Sequence, residues 1–255
     1  GILNLTPDSF YDGGKYNKLE TALKQTDSMI EAGAFFIDLG AYSTKPGAKP
    51  VSVEVEKKRL LPVLEKLTKT HPNTYFSIDT FRSTVAAEAL DRGAVMINDI
   101  SGGQFDNKMM DTIGHYNVPY VLMHTLGKPE IMQKNPQYKN AVKEVIYYFS
   151  KQIQSAYKAG INDVIIDPGF GFGKTISHNY EILKNLNFFQ NFELPVMIGL
   201  SRKSMIYNKL GISPDEALNG STILNTVALT KGANILRVHD VKQAKECIDL
   251  LQALR

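Results

Sequence analysis

Short hydrophobic runs alternate with longer amphipathic segments along the whole chain. The runs are rich in β-branched and aromatic residues, which is typical of buried strands, and the longer segments repeat their apolar residues at helical intervals. The predicted strands are residues 2–5, 35–39, 75–78, 95–97, 120–123, 164–166, 196–199 and 235–238. Helical periodicity is clearest over residues 19–32, 53–68, 84–91, 138–159, 215–231 and 241–254.

This alternation predicts an α/β fold. Several helical segments end in a glycine just before the next strand, as at Gly33, Gly93 and Gly160, which is a common helix stop signal. Eight strand–helix units in 255 residues match the size and order of a (β/α)8 TIM barrel. The alternative is an open doubly wound sheet, which usually has fewer strands and a phosphate-binding fingerprint after the first one. No linker or shift in composition divides residues 1–255, so we expect a single domain.

Composition and charge exclude several classes of protein. The 29 Lys and Arg residues nearly balance 26 Asp and Glu residues, so electrostatics gives no reason to expect nucleic acid or a membrane surface as a partner. No apolar run approaches the ~18 residues of a membrane-spanning helix, and no signal-type segment is present, so we expect a trimmed cytoplasmic protein. The single cysteine, Cys247, shares a helical face with apolar residues, which predicts a buried and unreactive thiol.

Polar residues stand where the predicted strands end, and in a (β/α)8 barrel this is the active-site end. The first six strands end at acids, amides or a histidine, namely Asn4, Asp38, Asp79, Asn98, Asp99, His124 and Asp167. Strand seven leads into Ser201, Arg202 and Lys203. Strand eight carries Arg237 and His239 at a spacing that puts both on one face.

Each of these residues could singly be a strand cap or a satisfied buried polar group, and for His124 we favour the structural role. As a set they predict a mouth with two halves. One half offers carboxylates and amides to hydrogen-bond donors, and the other offers cations to an anion, as in the phosphate sites that follow strands seven and eight of such barrels. The pattern favours a substrate with a nitrogen-rich polar ring at one end and a phosphate group at the other.

The segment from Asp167 to Thr175 imitates two nucleotide-binding motifs and matches neither. A P-loop would need glycine where Pro168 stands, and a dinucleotide fingerprint would need glycine where Lys174 stands. We interpret it as a flexible loop whose glycines let the backbone approach a flat ligand, with Phe172 as a cover. No histidine or cysteine pair has the spacing of a zinc site, and no G-x-S-x-G elbow indicates covalent catalysis.

Seven short motifs in order carry a family resemblance. They are GILNLTPDSF at residues 1–10 with DGG at 12–14, STKPG at 43–47, IDT at 78–80, IND at 97–99, DPG at 167–169, SRK at 201–203 and RVH at 237–239. With these motifs the chain resembles the dihydropteroate synthase family over almost its whole length. The resemblance implies a transferase of folate biosynthesis that condenses 6-hydroxymethyl-7,8-dihydropterin diphosphate with 4-aminobenzoate, giving 7,8-dihydropteroate and diphosphate. It also implies a Mg²⁺ cofactor, a homodimer and a target of sulfonamides.

The resemblance assigns roles to residues at matching positions. It implies a pterin pocket of Asp79, Asn98, Asp167 and Lys203. It implies a diphosphate and magnesium site of Asn4, Arg237 and His239, with Asn4 as the metal ligand. Around 4-aminobenzoate it implies Phe10, Asp12, Thr44, Lys45, Pro46, Phe172 and Ser201, and it adds Met123, Gly171 and Gly199 as further substrate contacts. Asn4, Lys203, Arg237 and His239 are the residues that it implies for catalysis.

Two positions in the second loop depart from the family pattern. Ala41 stands where the family usually has glycine, and Lys45 stands where it has arginine. Lysine keeps the charge but lacks the planar fork of a guanidinium, so we expect a looser contact. Two other functions remain as alternatives. One is a pterin-dependent methyltransferase domain, which would have no use for a diphosphate site, and the other is a non-catalytic pterin-binding paralogue.

Overall fold

The computed structural model describes residues 1–6, 15–43, 50–129 and 131–254. Its strands are β1 (Ile2–Asn4), β2 (Phe36–Gly40), β3 (Tyr75–Asp79), β4 (Met96–Asp99), β5 (Tyr120–Met123), β6 (Val164–Asp167), β7 (Met197–Ile198) and β8 (Ile235–Leu236). The helices are α1 (Lys15–Glu31), α2 (Val53–Thr70), α3 (Ser83–Leu90), α4 (Met109–Tyr116), α5 (Ala141–Lys158), α6 (Ile176–Lys184), α7 (Ser204–Leu210), α8 (Leu218–Thr230) and α9 (Val241–Gln252). A 3₁₀ helix covers Leu186–Phe192.

The strands close into a ring. β1 to β6 form one parallel sheet in chain order, and β7 pairs with β8. A parallel bridge between Ile166 and Val196 joins β6 to the β7 side, and the amide of Ile2 donates to the Val238 carbonyl at 3.0 Å. This last bond connects the end of the ring to its start. The predicted (β/α)8 barrel is therefore confirmed, and the open sheet is excluded.

Alternation along the strands separates two cores. Side chains such as Ile37 and Leu39 face outward and pack with the helices in the main core. Those facing inward form a small cluster at the amino end of the barrel, which we call the apolar plug. The apolar plug contains Met96, Val121, Ile165 and Met197, with Phe36 and Ile235 packed against it. Successive inward positions are two residues apart, so the next inward side chains lie one step closer to the carboxyl ends of the strands.

Helix boundaries follow capping residues more closely than hydrophobic periodicity does. α5 begins at Ala141, not at residue 138, because the Asn140 side chain accepts from the amide of Lys143 at 2.9 Å. α6 begins after Thr175, which forms a capping box with His178. Cys247 is buried in α9, as predicted. Within the described ranges, no helix combines the length and the apolar character that crossing a membrane requires.

Candidate active site

A polar layer lies directly above the apolar plug. Two residues after most of the inward apolar residues comes an inward polar residue, for example Asp38 after Phe36, Asn98 after Met96 and Asp167 after Ile165. We define the polar layer as Asp38, Asp79, Asn98, Met123, Asp167, Gly199 and Arg237. The carboxyl ends of seven strands thus bring together residues that are far apart in the sequence.

Arg237 lies between two carboxylates of this layer. Its Nε donates to Asp38 Oδ2 at 2.6 Å, and its Nη2 donates to Asp79 Oδ2 at 2.7 Å. The sequence predicted separate acidic and cationic halves, and this expectation is wrong. Charges in a largely buried layer need partners of opposite sign, so the cation from β8 inserts between the acids from β2 and β3.

The two carboxyl groups respond differently to the same guanidinium. Burial alone would raise the pKa of Asp38, but Arg237, with the hydrogen bond from Asn98, holds it below its usual value. Burial raises the pKa of Asp79 to about 7 despite Arg237, and the negative charge of Asp38 adds to this rise. Asp38 is therefore the ionised partner of Arg237, and Asp79 is the member of the pair that can take a proton near neutral pH.

Asn98 and Asp167 continue the layer on the other side of the barrel. The Asn98 amide donates from Nδ2 to Asp38 Oδ2 at 3.0 Å. Asp167 accepts from the amide of Gly169 at 2.7 Å through Oδ1. Burial raises the pKa of Asp167, and the charge of Lys203 opposes that rise. Both side chains are buried. The hydrogen bonds described use Nδ2 of Asn98 and Oδ1 of Asp167.

Lys203 is placed by the loop after β7 and faces the loop after β6. Its Nζ donates to the Phe170 carbonyl and lies 4.9 Å from the centre of the Phe172 ring. A Cβ on Gly171 would lie 3.3 Å from Lys203 Cδ, and a Cβ on Gly199 would lie 3.7 Å from Nζ. Burial lowers the pKa of Lys203 to about 8, while Asp167 acts to raise it. The two glycines thus leave room for this lysine side chain.

Asn4 and His239 line a cavity next to β1. This cavity has a volume of about 390 Å³ and is bounded on the other side by α1. The His239 amide donates to the Ser201 hydroxyl at 3.3 Å. Burial, followed by the charge of Arg237, lowers the pKa of His239 to about 4. The imidazole is neutral at neutral pH, so it does not supply the permanent cation that the sequence predicted.

The oxygen atoms near Asn4 fit a hard cation. A Cβ on Gly40 would lie 3.6 Å from both Asn4 Oδ1 and Asp79 Oδ2. Because Gly40 has no side chain, the space between these two oxygen atoms stays open on that side. No group of three His, Cys, Asp or Glu side chains that could hold a metal occurs among the described residues. Mg²⁺ commonly binds through one or two protein oxygens and completes its shell with water and substrate phosphate. A single amide or carboxylate from this chain is compatible with that mode.

Several predicted site residues lie outside the described ranges. These are Phe10 and Asp12 in the first loop, and Thr44, Lys45 and Pro46 in the second. The ends of the second loop are described. Arg59 donates to the Ala41 carbonyl at 3.3 Å, and Arg82 donates to the Val51 carbonyl at 2.6 Å. Met123 lies at the end of β5 and is buried.

Two residues of this region were not assigned a role from the sequence. Asp38 was noted only as a strand end, and its contacts with Arg237 and Asn98 become visible when β8 closes on β1. Lys174 was noted only as the residue that spoils a glycine motif. It is 3% exposed, and its Nζ lies 2.9 Å from Nδ1 of His124. The sequence offered one hint, which is that this lysine stands within a glycine-rich run. The structure gives it a role, because a lysine is almost never fully buried unless it is paired.

Other polar strand ends have structural roles. Asp99 faces away from the mouth and accepts from the Tyr120 hydroxyl at 2.7 Å. Arg202 forms a two-point ion pair with Asp240 at 2.9 Å in both contacts, which joins the loop after β7 to the start of α9. These contacts account for two of the residues that the strand-end pattern singled out.

Comparisons with known proteins agree with this geometry. The family model described as pterin binding enzyme matches residues 1–239. The dihydropteroate synthase of Escherichia coli strain K12 is 44% identical over 255 residues, which cover 99% of this chain and 90% of that protein.

Solved structures match the whole chain. The Yersinia pestis dihydropteroate synthase with a sulfonamide drug complex is 40% identical with a TM-score of 0.94, and the match covers 100% of this chain and 93% of that one. The Xanthomonas albilineans dihydropteroate synthase with 4-aminobenzoic acid is 38% identical with a TM-score of 0.93, covering 100% and 91%. The chain belongs to the pterin-binding enzyme family and, within it, to the dihydropteroate synthases.

Proposed function

We propose that this protein condenses 6-hydroxymethyl-7,8-dihydropterin diphosphate with 4-aminobenzoate, releasing diphosphate and forming 7,8-dihydropteroate for folate biosynthesis. The observation that carries the proposal is the polar layer, in which buried hydrogen-bond acceptors and Arg237 surround the barrel axis above the apolar plug, with Lys203 beside them. A flat heterocycle that is rich in N–H groups complements such a layer.

The pterin ring is held by acceptors of defined direction. Asp167 accepts from the 2-amino group and the ring N3–H, since an ionised carboxylate can accept two parallel hydrogen bonds. Asn98 gives its N–H to Asp38, which leaves its Oδ1 oxygen to accept from the ligand. Lys203 and Arg237 supply donors for the ring's oxygen and nitrogen acceptors.

The diphosphate binds toward Asn4 and His239. Asn4 would hold Mg²⁺, which when bound would neutralise part of the leaving group's charge. Bound diphosphate favours the protonated form of His239, which opposes the effect of burial on its pKa. His239 then donates a hydrogen bond to a phosphate oxygen, and the positive charge of Arg237 lies close by. These donors act most strongly as charge builds on the departing group, which is the condition for faster reaction.

Bond breaking leads and bond formation follows. The C–O bond to diphosphate breaks with its electron pair on oxygen, which leaves carbocation character on the pterin methylene group. The neutral arylamine of 4-aminobenzoate attacks this carbon and then loses a proton to solvent. No strong general base is required, because the arylamine attacks as a neutral nucleophile.

The deciding experiment mixes the protein with both substrates and magnesium and measures diphosphate release together with dihydropteroate formation. The proposal predicts equal amounts of both products. Diphosphate release without 4-aminobenzoate incorporation, or pterin binding without turnover, would favour the non-catalytic paralogue. Methyl transfer from a methylated pterin, with no diphosphate released, would favour the methyltransferase.

We also propose a homodimer through the outer face of α8 and α9. These two helices pack against each other and leave large apolar side chains exposed, including Ile223 and Leu250. Exposed apolar side chains that cluster on one face are typical of an interface. Light scattering should give twice the chain mass, and the double change Ile223→Glu with Leu250→Glu should give the monomer. We further propose that the protein is located in the cytoplasm, and cell fractionation tests this.

A further inference from the structure

Side chains hold every carbonyl of the loop that links β6 to α6. We call residues 169–173 the glycine loop. Its five consecutive carbonyl groups, from Gly169 to Gly173, each accept a side-chain hydrogen bond. The donors are Lys174 to Gly169 (2.9 Å) and Phe172 (3.0 Å), Lys203 to Phe170, Gln133 to Gly171 and the Tyr138 hydroxyl to Gly173 (2.9 Å). The loop that the sequence presented as flexible is thus held along its whole length.

The path of the glycine loop requires its glycines. Gly169 has φ +70°, and a Cβ there would lie 2.0 Å from the carbonyl oxygen of His124. Gly171 has φ +81°, and a Cβ there would press on Lys203 at 3.3 Å. The glycines therefore serve a fixed backbone conformation that passes close to β5 and to Lys203.

Lys174 makes more of these contacts than any other donor to the loop. Besides Gly169 and Phe172, its Nζ contacts the His124 carbonyl at 3.3 Å and His124 Nδ1 at 2.9 Å. Four acceptors around one nitrogen suit an ammonium group, which has three donors and no lone pair. No carboxylate lies within ion-pair distance of Nζ in the described part of the chain, so the ammonium is held by backbone oxygen atoms and one imidazole.

Protonation of the two partners is consistent with this arrangement. Burial lowers the pKa of Lys174 well below its usual value, Asp167 opposes this effect and the charge of Lys203 adds to it. The ammonium form is indicated by the geometry, because a neutral amine would turn its lone pair toward one of the four acceptors. Burial and then the charge of Lys174 lower the pKa of His124 well below its usual value. His124 is thus a neutral imidazole that accepts through Nδ1, which explains its place at the strand end.

We propose that Lys174 is a positioning residue for 4-aminobenzoate binding, because its ammonium fixes the glycine loop in the conformation that presents Phe172. The inference rests on the proposed function and deepens it. The lysine of a P-loop points at a ligand's phosphate, whereas Lys174 points back at its own loop. The part of the second substrate's site that Phe172 contributes is therefore held in place before that substrate arrives.

The test compares Lys174→Met with Lys231→Met in the full-length chain. Lys231 also donates to a carbonyl, that of Lys184 at 2.9 Å, but it is only half-buried and lies at the end of α8, away from the carboxyl ends of the strands. Lys174→Met should raise the KM for 4-aminobenzoate by at least about tenfold at saturating pterin diphosphate. Binding of a phosphate-free pterin, measured by calorimetry, should change by less than about threefold, because Asp167 and Asn98 remain in place. Lys231→Met should change neither quantity.

Rescue separates positioning from simple stabilisation. In Lys174→Ala, added propylammonium should fill the space and lower the KM for 4-aminobenzoate toward the wild-type value, whereas propanol should not. No rescue in a folded variant, or an equal loss of affinity for both substrates, would overturn the proposal.

A measurement on the unmodified protein covers the case in which both variants fail to fold. With ¹⁵N-labelled lysine, the Nζ signal of Lys174 at pH 7 should be that of an ammonium and should stay unchanged when diphosphate is added. A neutral amine, or a shift on adding diphosphate, would overturn the proposal. If the wild-type protein releases no diphosphate, the proposed function fails instead. If it is active and Lys174→Met behaves like wild type, only the positioning role fails.

Discussion

Arg237 balances two acidic side chains, so its removal has consequences for stability as well as for catalysis. In Arg237→Ala, Asp38 and Asp79 would face each other in a buried layer without a cation. Breaking a buried ion pair costs about 3–5 kcal/mol, and we expect the free energy of unfolding in urea to fall by that order. Adding Asp79→Asn to Arg237→Ala should restore part of it, since one of the unpaired charges is gone.

Arg92 provides the control for this experiment. It pairs with Glu88 at 3.5 Å on the surface of the barrel, so Arg92→Ala should lower the stability by less than about 1 kcal/mol. Equal losses for Arg237→Ala and Arg92→Ala would contradict the buried cluster. Any activity measurement on Arg237→Ala should be made at a temperature where the variant is shown to be folded.

Asp167 tests the orientation of the pterin edge. Asp167→Asn places an amide, with one donor end, against the donors of the ligand, and a buried mismatch of this kind costs ~1–3 kcal/mol. We expect the affinity for a phosphate-free pterin to fall at least tenfold in a calorimetric titration. Asp99→Asn serves as a comparison, because Asp99 bonds to Tyr120 and not to the mouth. Unchanged pterin affinity in Asp167→Asn would place the pterin elsewhere.

At the scale of a single element, α5 depends on its cap. Asn140 accepts from the amide of Lys143, and Glu144 accepts from the amides of Lys139 and Asn140 at 2.7 and 3.1 Å. Asn140→Ala should lower the free energy of unfolding by about 1 kcal/mol and leave kcat and KM unchanged, since the cap lies outside the polar layer. A change in KM for either substrate would show that the start of α5 is coupled to the site.

The elements themselves were largely predictable, because the two periodicities of helix and strand are local properties of the sequence. β2 shows the limit of that reasoning. The apolar run predicted residues 35–39, whereas the strand is Phe36–Gly40. Phe35 is apolar but 68% exposed, so hydrophobicity marked it as strand although the ladder does not include it. The α7 helix, which lies between β7 and α8, is only seven residues long and has too few turns for a clear period.

The residues of the site were predictable by position, and their partners were not. A strand end is visible in the sequence, but the contact between Arg237 and Asp38 joins residues 199 positions apart and depends on how the ring closes. The same is true of Lys174, whose acceptors belong to a loop conformation set by three glycines with positive φ.

For the whole molecule, the buried ionisable groups make stability depend on pH in opposing directions. The pKa of Asp79 is raised to about 7, so between about pH 4 and 7 the folded protein keeps a proton that the unfolded chain has lost. The contribution of Asp79 to the free energy of unfolding is therefore present at low pH and is lost as pH rises through that window. The pKa of His239 is lowered to about 4, so its contribution has the opposite sign between about pH 4 and 6.5.

The variant Asp79→Asn isolates one of these effects. Relative to wild type, its free energy of unfolding should rise as pH increases from 4 to 7, with a slope of at most about 1.4 kcal/mol per pH unit. His239→Gln should give a difference that falls over pH 4 to 6.5. Urea unfolding at three pH values provides both curves. A flat difference for Asp79→Asn would show that Asp79 is ionised in the folded protein throughout the range.

Closure of the ring has a consequence during protein synthesis. Ile2 hydrogen-bonds to Val238, so β1 is synthesised more than 200 residues before the segment with which it closes the ring. Until β8 emerges, the nascent chain carries open strand edges, which are sites of aggregation, and two acids that still lack Arg237. Defects in β8 should therefore appear first as a greater need for chaperones and a lower yield of protein, before any purified sample shows a change in melting temperature.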